Sequence, residues 1–368
     1  MKIGFDAKRA FSNKSGLGNY SRDVISALID CYPQHEYFLF TPNQNTELIE
    51  KQYLNSVICP QKNTSASYWR SIKMSHDIKA NKIDIFHGLS NELPLNIKRV
   101  KAKKVVTIHD LIFLRLPKLY KFIDRQIYNF KFKRACQNAD KIIAISHQTK
   151  EDIIHYYKIP ESKIEVIYQT CNPIFKQRFD DEIKEKTKIK FQLPQNFILN
   201  VGTIEKRKNA LTVIKAIQNV DISLVIIGKE TEYAKEVKSY IHKNGLQNKV
   251  KILNNVNIQE LACIYQLSKI FIYPSIYEGF GIPILEAFFS GVPVITGNTG
   301  ATAEAGGEAA IKTNPLDYKM LEEQIVYLLE NDNIREKLIL KGFERAKLFE
   351  KETVTENLMN FYKKLYHE

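Results

Sequence analysis

The chain lacks the features that would place it in several large protein classes. No apolar run among its 368 residues approaches the ~18 to 20 residues needed to span a bilayer. The N-terminus, MKIGFDAKRAF, has no long apolar stretch behind its charges. It reads as a first buried strand from residue 2 rather than a secretory signal. Cysteine is sparse: Cys31, Cys59, Cys136, Cys171 and Cys263 are scattered, odd in number and free of any CxxC pair. That argues against a disulfide framework or a zinc site and for a reducing compartment, so a cytoplasmic location is expected. There is no short-period repeat, no low-complexity tract and no DxD motif to hold a metal.

What remains is an ordinary globular composition, 44% hydrophobic and 26% charged. One core rarely grows to this length, so two domains are expected. The net charge of +13 favours anionic partners such as nucleic acid, phospholipid head groups or phosphorylated substrates. A solvated lysine-rich surface explains it equally well.

Short Val/Ile-rich runs alternate with helical patterns almost from end to end. Strands are expected at residues 2–7, 37–40, 84–87, 104–109, 141–146 and 164–168, then at 197–202, 223–228, 250–253, 270–274 and 292–296. Their non-alternating character fits strands buried on both faces, with helices as crossovers. A break falls between the two series, at residues 172–195. Roughly residues 318–366 read as wholly helical. The pattern predicts two doubly wound α/β domains with a cleft between them, where ligands bind in such folds.

One constellation stands out: Pro274-Ser275-Ile276-Tyr277-Glu278-Gly279-Phe280-Gly281-Ile282-Pro283-Ile284-Leu285-Glu286-Ala287. A strand is expected to end at Pro274 and a helix to start at Pro283, a favoured first-turn residue. Gly279 and Gly281 let backbone approach a ligand closely. The helix start offers free N–H groups to phosphate. Glu278 precedes the glycines and Glu286 falls in the expected first turn, so the two carboxylates can address different ends of one ligand. Carboxylates accept from paired hydroxyls, as sugar and ribose diols require. Taken singly, each has a plainer reading: Glu286 complementing the helix dipole, Glu278 solvated in a loop.

This segment closely resembles the E-x7-E donor motif of the retaining GT-B glycosyltransferases, a family that includes bacterial mannosyltransferases and sucrose and glycogen synthases. The likeness extends over nearly the whole chain. It includes Val201-Gly202-Thr203-Ile204-Glu205-Lys206-Arg207-Lys208-Asn209, Thr107-Ile108-His109-Asp110 and the stretch 297–309. The resemblance implies two Rossmann-like domains facing each other across a cleft. Residues 1–175 would bind acceptor and 176–350 the nucleotide-sugar donor. A C-terminal helix, 351–368, would return toward the first domain.

It also implies roles. Glu286 would hold the ribose hydroxyls and Glu278 those of the transferred sugar, with backbone at Gly279, Phe280 and Gly281 orienting sugar or phosphate. Arg207 and Lys208 would neutralise the departing diphosphate. Relatives often carry Arg where this chain has Thr203, beside Gly202, so the phosphate clamp leans on that basic pair. His109 would touch the transferred sugar, and Asp110 would lie on the acceptor side; His87, in Phe86-His87-Gly88, also ends a strand facing the cleft, and either lines the acceptor side or packs as a core histidine. Gly16 and Gly18 would form a wall of the site, and Gly228 would border the base. Glu304 is read as structural, with Ala303 where Pro is common. The activity implied is retaining and metal-independent, without a cofactor. It would move a hexose from GDP-mannose or a UDP-hexose to a saccharide or lipid-linked glycan in surface polysaccharide biosynthesis.

Rival readings fit less of the sequence. An NAD-linked sugar oxidoreductase would need a better fingerprint: the loop gives GxG, Ser21 takes the last glycine position, and no acid follows Phe40-Thr41. A non-catalytic nucleotide-sugar-binding or scaffold protein is harder to exclude, and the intact glutamate and basic set speaks against it. Nucleic acid is suggested by charge alone, and no such partner is expected.

Residues 118–134 (KLYKFIDRQIYNFKFKR) carry six basic residues and one acidic one. Leu119, Phe122, Ile123, Ile127 and Phe130 fall at helical spacing. An anionic membrane surface is one partner for such a helix, implying peripheral attachment to the inner membrane face. Packing of the stripe on the first domain's sheet is the other reading.

Overall fold

The computed structural model describes residues 1–42, 47–54, 56–62 and 64–368. The chain forms two compact units, Met1–Thr170 with Lys351–Glu368, and Cys171–Glu350.

The first unit is built on β1 (Lys2–Asp6), β2 (Glu36–Phe40), β3 (Val57–Ile58), β4 (Ile85–Gly88), β5 (Lys103–Ile108), β6 (Lys141–Ala144) and β7 (Ile164–Val166), in the order β3-β2-β1-β4-β5-β6-β7. Every pairing is parallel. Successive residues feed opposite faces, as the pleat requires. Val105 and Ile143 join a core with Phe5 and Leu28, while Val106, Ile142 and Ala144 join another with Leu111 and Cys136. The helix Lys351–His367 completes the first of these cores. Its Val354, Leu358, Met359, Tyr362 and Leu365 recur at helical spacing and all lie in that cluster.

The second unit has β8 (Phe197–Val201), β9 (Ser223–Ile227), β10 (Val250–Leu253), β11 (Ile270–Tyr273), β12 (Val294–Gly297) and β13 (Ala310–Thr313), ordered β10-β9-β8-β11-β12-β13 and again all parallel. Ile198, Leu224, Ile226, Ile270 and Ile295 pack with Val213, Ile214, Leu321 and Ile325 from the covering helices.

All eleven expected strands are present, each within two residues of its expected ends. Two more were not expected. β3 is only two residues long, too short for a pattern. β13 is a half-exposed edge strand that follows directly on a helix and a glycine turn.

Each sheet reverses its winding once, between β1 and β4 and between β8 and β11. Ligands of open parallel sheets bind off the carboxyl ends of the strands at such a switch point. The residues following Asp6, Gly88, Val201 and Tyr273 lie at these two switch points.

The segment 118–134 resolves one alternative. It forms most of the helix Phe122–Asn138, which buries only Ala135 and Cys136. Phe122, Ile123 and Phe130 are 69%, 71% and 58% exposed. The stripe does not pack on the sheet. The contacts of this helix come from its other side, where Phe132 and Tyr128 meet Phe113 edge-on.

Candidate active site

The second unit's switch point is built by two loops that lock together. After β8 the chain turns at Gly202, whose φ of +147° suits only glycine. A Cβ at Gly228, just past β9, would lie 1.9 Å from the Gly202 carbonyl oxygen, so that position too is closed to any side chain. The short turn Lys206–Lys208 ends at Asn209, which adopts a left-handed conformation. The Asn209 amide donates to the carbonyls of Pro274 and Pro315, fastening this loop to the end of β11. In return, the Ile276 N–H donates to the Arg207 carbonyl at 2.9 Å.

This interlock brings Arg207, Lys208 and Glu278 together. Arg207 Nη1 lies 2.7 Å from Glu278 Oε2, and Lys208 Nζ lies 2.6 Å from Glu278 Oε1. Arg207 also donates to the Tyr277 carbonyl and to Glu205, each at 2.6 Å. Glu278 Oε1 accepts from the Ser275 hydroxyl at 2.6 Å and the Tyr273 hydroxyl at 3.0 Å. The Tyr273 hydroxyl accepts from Lys208 at 2.5 Å. Burial alone would raise the Glu278 carboxyl; Lys208 and Arg207 outweigh it and hold the group at about 2. Burial opposes the Arg207 charge as well, but Glu278 more than offsets it, so the guanidinium sits above its ordinary value. Burial and Glu278 push the Tyr273 hydroxyl well up.

Gly281, with φ of +140°, precedes the helix Ile282–Ser290, in which Pro283 is the second residue. Phe280 is buried against Phe349, ring centroids 5.5 Å apart. Gly279 beside it is buried and Thr203 is half-buried. Glu286 is the fifth residue of that helix, so it lies beyond the first turn and does not serve the helix dipole as expected. Its carboxylate accepts from the Tyr265 hydroxyl at 2.8 Å. Burial raises it to about 7, against the pull of that hydrogen bond and of Lys208. The two glutamates thus have opposite electrostatic settings: Glu278 stays a carboxylate, whereas Glu286 is close to half-protonated at neutral pH. Glu304 sits in the helix Gly300–Gly306, where Arg345 holds its backbone carbonyl at 2.6 Å.

In the first unit, His109 follows β5 and is 6% exposed. Its Nε2 faces the Leu89 carbonyl at 2.8 Å, its N–H donates to Asn91, and the Tyr20 ring stands edge-on at 4.6 Å. Burial lowers its pKa to about 4, so the ring is neutral. A carbonyl partner requires Nε2 to carry the hydrogen, which leaves Nδ1 as an acceptor. Asp110 caps the next turn, accepting from the Ile112 N–H at 3.1 Å. Gly16 is exposed at the start of the helix Gly16–Cys31, while a Cβ on Gly18 would meet the Asn13 carbonyl at 1.8 Å.

His87 corrects the sequence reading. It is wholly buried, with Nδ1 at 2.6 Å from the Tyr362 hydroxyl and Nε2 at 2.8 Å from the Thr107 hydroxyl. Burial lowers its pKa to about 3. Both ring nitrogens are committed inside the first core, so His87 does not line the acceptor side.

Some charged neighbours carry little signal in the sequence. At the first sheet's switch point Arg70 grips Asp6, at 2.7 and 2.8 Å, and Glu92 at 2.5 Å. Lys131 lies 3.5 Å from the same Glu92. The one sequence signal was an acid closing the first strand, KIGFD. Tyr273 and Tyr265 were equally hidden, because buried strand and helix tyrosines read as core.

Residues 14–173 match Glycosyltransferase Family 4 and residues 181–345 match Glycosyl transferases group 1. The chain is similar to O-antigen chain mannosyltransferase B of Escherichia coli, 29% identical over 76% of this chain and 74% of that protein. It is also similar to the capsular polysaccharide biosynthesis glycosyltransferase CapM of Staphylococcus aureus, 29% identical over 85% and 86% of the two chains. Among solved structures, Anabaena HepE in complex with UDP and glucose has the same fold, with a TM-score of 0.76 at 16% identity, covering 98% of this chain and 99% of that one.

Proposed function

We propose that this chain, which belongs to the GT-B glycosyltransferases with a Family 4 first half and a group 1 second half, moves a hexose from GDP-mannose or a UDP-hexose to a glycan acceptor in surface polysaccharide biosynthesis. The single observation that carries the reading is Glu278 held between Arg207 and Lys208 beside a helix start at the switch point. An anion binder and a hydroxyl binder face each other there, which a nucleotide diphosphate sugar satisfies together. The names of the relatives, a mannosyltransferase and a capsule glycosyltransferase, support the hexose and the polysaccharide setting.

In this reading the donor diphosphate draws Arg207 and Lys208 away from Glu278. The freed carboxylate then accepts from the hexose hydroxyls, and Glu286 accepts from the ribose diol. His109, neutral and with Nδ1 as acceptor, takes a further sugar hydroxyl. The acceptor oxygen forms its bond to the anomeric carbon on the face from which the nucleotide leaves. The sugar–phosphate bond breaks with its electron pair going to the diphosphate. A donor phosphate oxygen takes the acceptor proton. Configuration is retained, and the two basic side chains stabilise the leaving charge without a metal. We place the protein peripherally at the inner membrane face, with a lipid-linked glycan as acceptor.

A thermal-shift panel of nucleotide sugars, followed by proton NMR of the product anomer, tests this. One donor should raise the melting temperature by mass action, and the product should keep the donor's anomeric configuration. Inversion, or stabilisation by nicotinamide dinucleotides instead, overturns it.

A further inference from the structure

We infer that the helix Phe122–Asn138 is an interfacial anchor whose exposed side chains enter an anionic lipid surface. The inference deepens the peripheral placement proposed above and rests on it. Placement requires only attraction to a membrane, whereas the geometry assigns a particular element and a mode of contact.

Few helices of a folded domain leave this much apolar surface to solvent. Phe122, Ile123, Ile127 and Phe130 are 69%, 71%, 45% and 58% exposed, and Leu119 just ahead is 45% exposed. At 3.6 residues per turn these helical positions fall within about 140° of one face. The opposite face is already used, since Tyr128 and Phe132 pack on Phe113 and Ala135 and Cys136 are buried. The stripe is therefore a second apolar face, with nothing from the described residues covering it. Its mean character is not that of a spanning segment, and no helix among the described residues is long and apolar enough to cross a membrane.

Charge decides between a lipid surface and a second copy of the chain. Lys118, Lys121, Lys133 and Arg134 are exposed around the stripe, and Asp124 is the one acid between residues 118 and 134. Arg134 donates to the Leu95 carbonyl at 3.1 Å, which ties the helix to a loop carrying exposed Lys98, Arg99 and Lys101. A like-charged copy would meet this rim with repulsion. An anionic interface accepts both parts, phosphates for the lysines and acyl boundary for the rings. Phe130 and Lys131 also line a small surface pocket with Asp6, Arg70 and Glu92, at the first sheet's switch point. A helix lying in the interface thus brings a polar recess to the level of lipid head groups.

Sedimentation with vesicles of phosphatidylcholine, with and without phosphatidylglycerol, tests the inference at low and physiological ionic strength. The full chain should sediment with phosphatidylglycerol-containing vesicles. Replacing Lys118, Lys121 and Lys133 by Gln should weaken partitioning by about fivefold per charge. A Phe122→Ser, Ile123→Ser, Phe130→Ser variant should lose tenfold or more even at low salt, with its circular dichroism unchanged. An independent readout uses Ile123→Trp, because the native Trp69 is buried at 2% exposure. Its emission should shift to the blue when these vesicles are added. A serine variant that sediments like the parent, with unshifted emission from Ile123→Trp, overturns the insertion and leaves peripheral placement standing. Absence of any vesicle binding by the parent overturns both. A parent dimer that the serine substitutions dissociate, without vesicle binding, assigns the stripe to a second copy instead.

Discussion

Arg207 and Glu278 face each other at 2.7 Å, each satisfying a charge that a substrate would otherwise have to meet. The pair is mostly buried, with side-chain exposures of 13% and 10%, so neither member is neutralised by water. In the proposed reading, a diphosphate entering this site competes with Glu278 for Arg207 and Lys208. Glu278→Ala should therefore split binding from turnover. The free nucleoside diphosphate should bind more tightly by calorimetry, while kcat falls by about 100- to 1000-fold, the scale set by losing one preorganised polar contact. Weaker nucleotide binding in this variant would disprove the competition.

Lys208→Ala should lower kcat by a similar factor, about 100-fold or more, while the melting temperature of the ligand-free protein changes little. Glu278 keeps Arg207, Ser275 and Tyr273 as partners in that variant. Turnover near the parent value would remove Lys208 from the diphosphate contact.

Glu286 gives a pH signature opposite to that of Glu278. Its folded carboxyl titrates at about 7, against 4.5 for the free group. Between those values the folded chain keeps a proton that the unfolded chain has lost. Stability therefore falls as pH rises through this window, and the deficit persists above it. Glu286→Gln keeps an acceptor for the Tyr265 hydroxyl and removes the titration. Its unfolding free energy should exceed the parent's by up to about 3 kcal/mol at pH 8. The two proteins should converge near pH 4. A constant difference across this range would contradict the assignment. For Glu278, whose folded value is about 2, stability is lost only as pH drops below the ordinary carboxylate range.

Gly228→Ala should destabilise the second unit by about 1 to 3 kcal/mol through overpacking, because its Cβ would sit 1.9 Å from the Gly202 carbonyl oxygen. Urea unfolding measures this. Since Gly202 opens the loop that carries Arg207 and Lys208, donor affinity should fall with it. Parent-like stability would show that the two loops can part without cost.

The proposed metal-independent transfer predicts that incubation with EDTA, followed by assay without added cation, leaves the rate within about twofold of the untreated protein. A loss restored by Mg2+ or Mn2+ would replace the role proposed for the basic pair.

The sheets were legible because strands buried on both faces write their Val/Ile runs directly into the chain. β8 and β11 stand where those runs predict, and with them the loops that end in Arg207 and Glu278. What could not be read was pairing across loops. Nothing local says that Asn209 fastens to Pro274, or that Tyr273, one turn of loop before Glu278, hydrogen-bonds to it. Glu286 lies deeper than a first-turn position because the helix begins at Ile282, one residue before Pro283. His87 looked functional from its place at a strand end; only the arrival of Tyr362 from 275 residues away reveals it as core. The Asp6–Arg70–Glu92 cluster was hidden for the same reason, since its members lie on three separate segments.

The helix Lys351–His367 has a bearing on how the protein comes into being. Met359 and Tyr362 are wholly buried in the core of the first unit, yet they are translated after every residue of the second. At roughly 5 to 20 residues per second, a ribosome needs on the order of ten seconds to make the intervening stretch. Until that helix is made, the core that holds Phe5 and Leu28 lacks the five apolar side chains it receives from it. The unit whose synthesis begins first is thus the one whose core is completed last, because its final helix is the last segment translated.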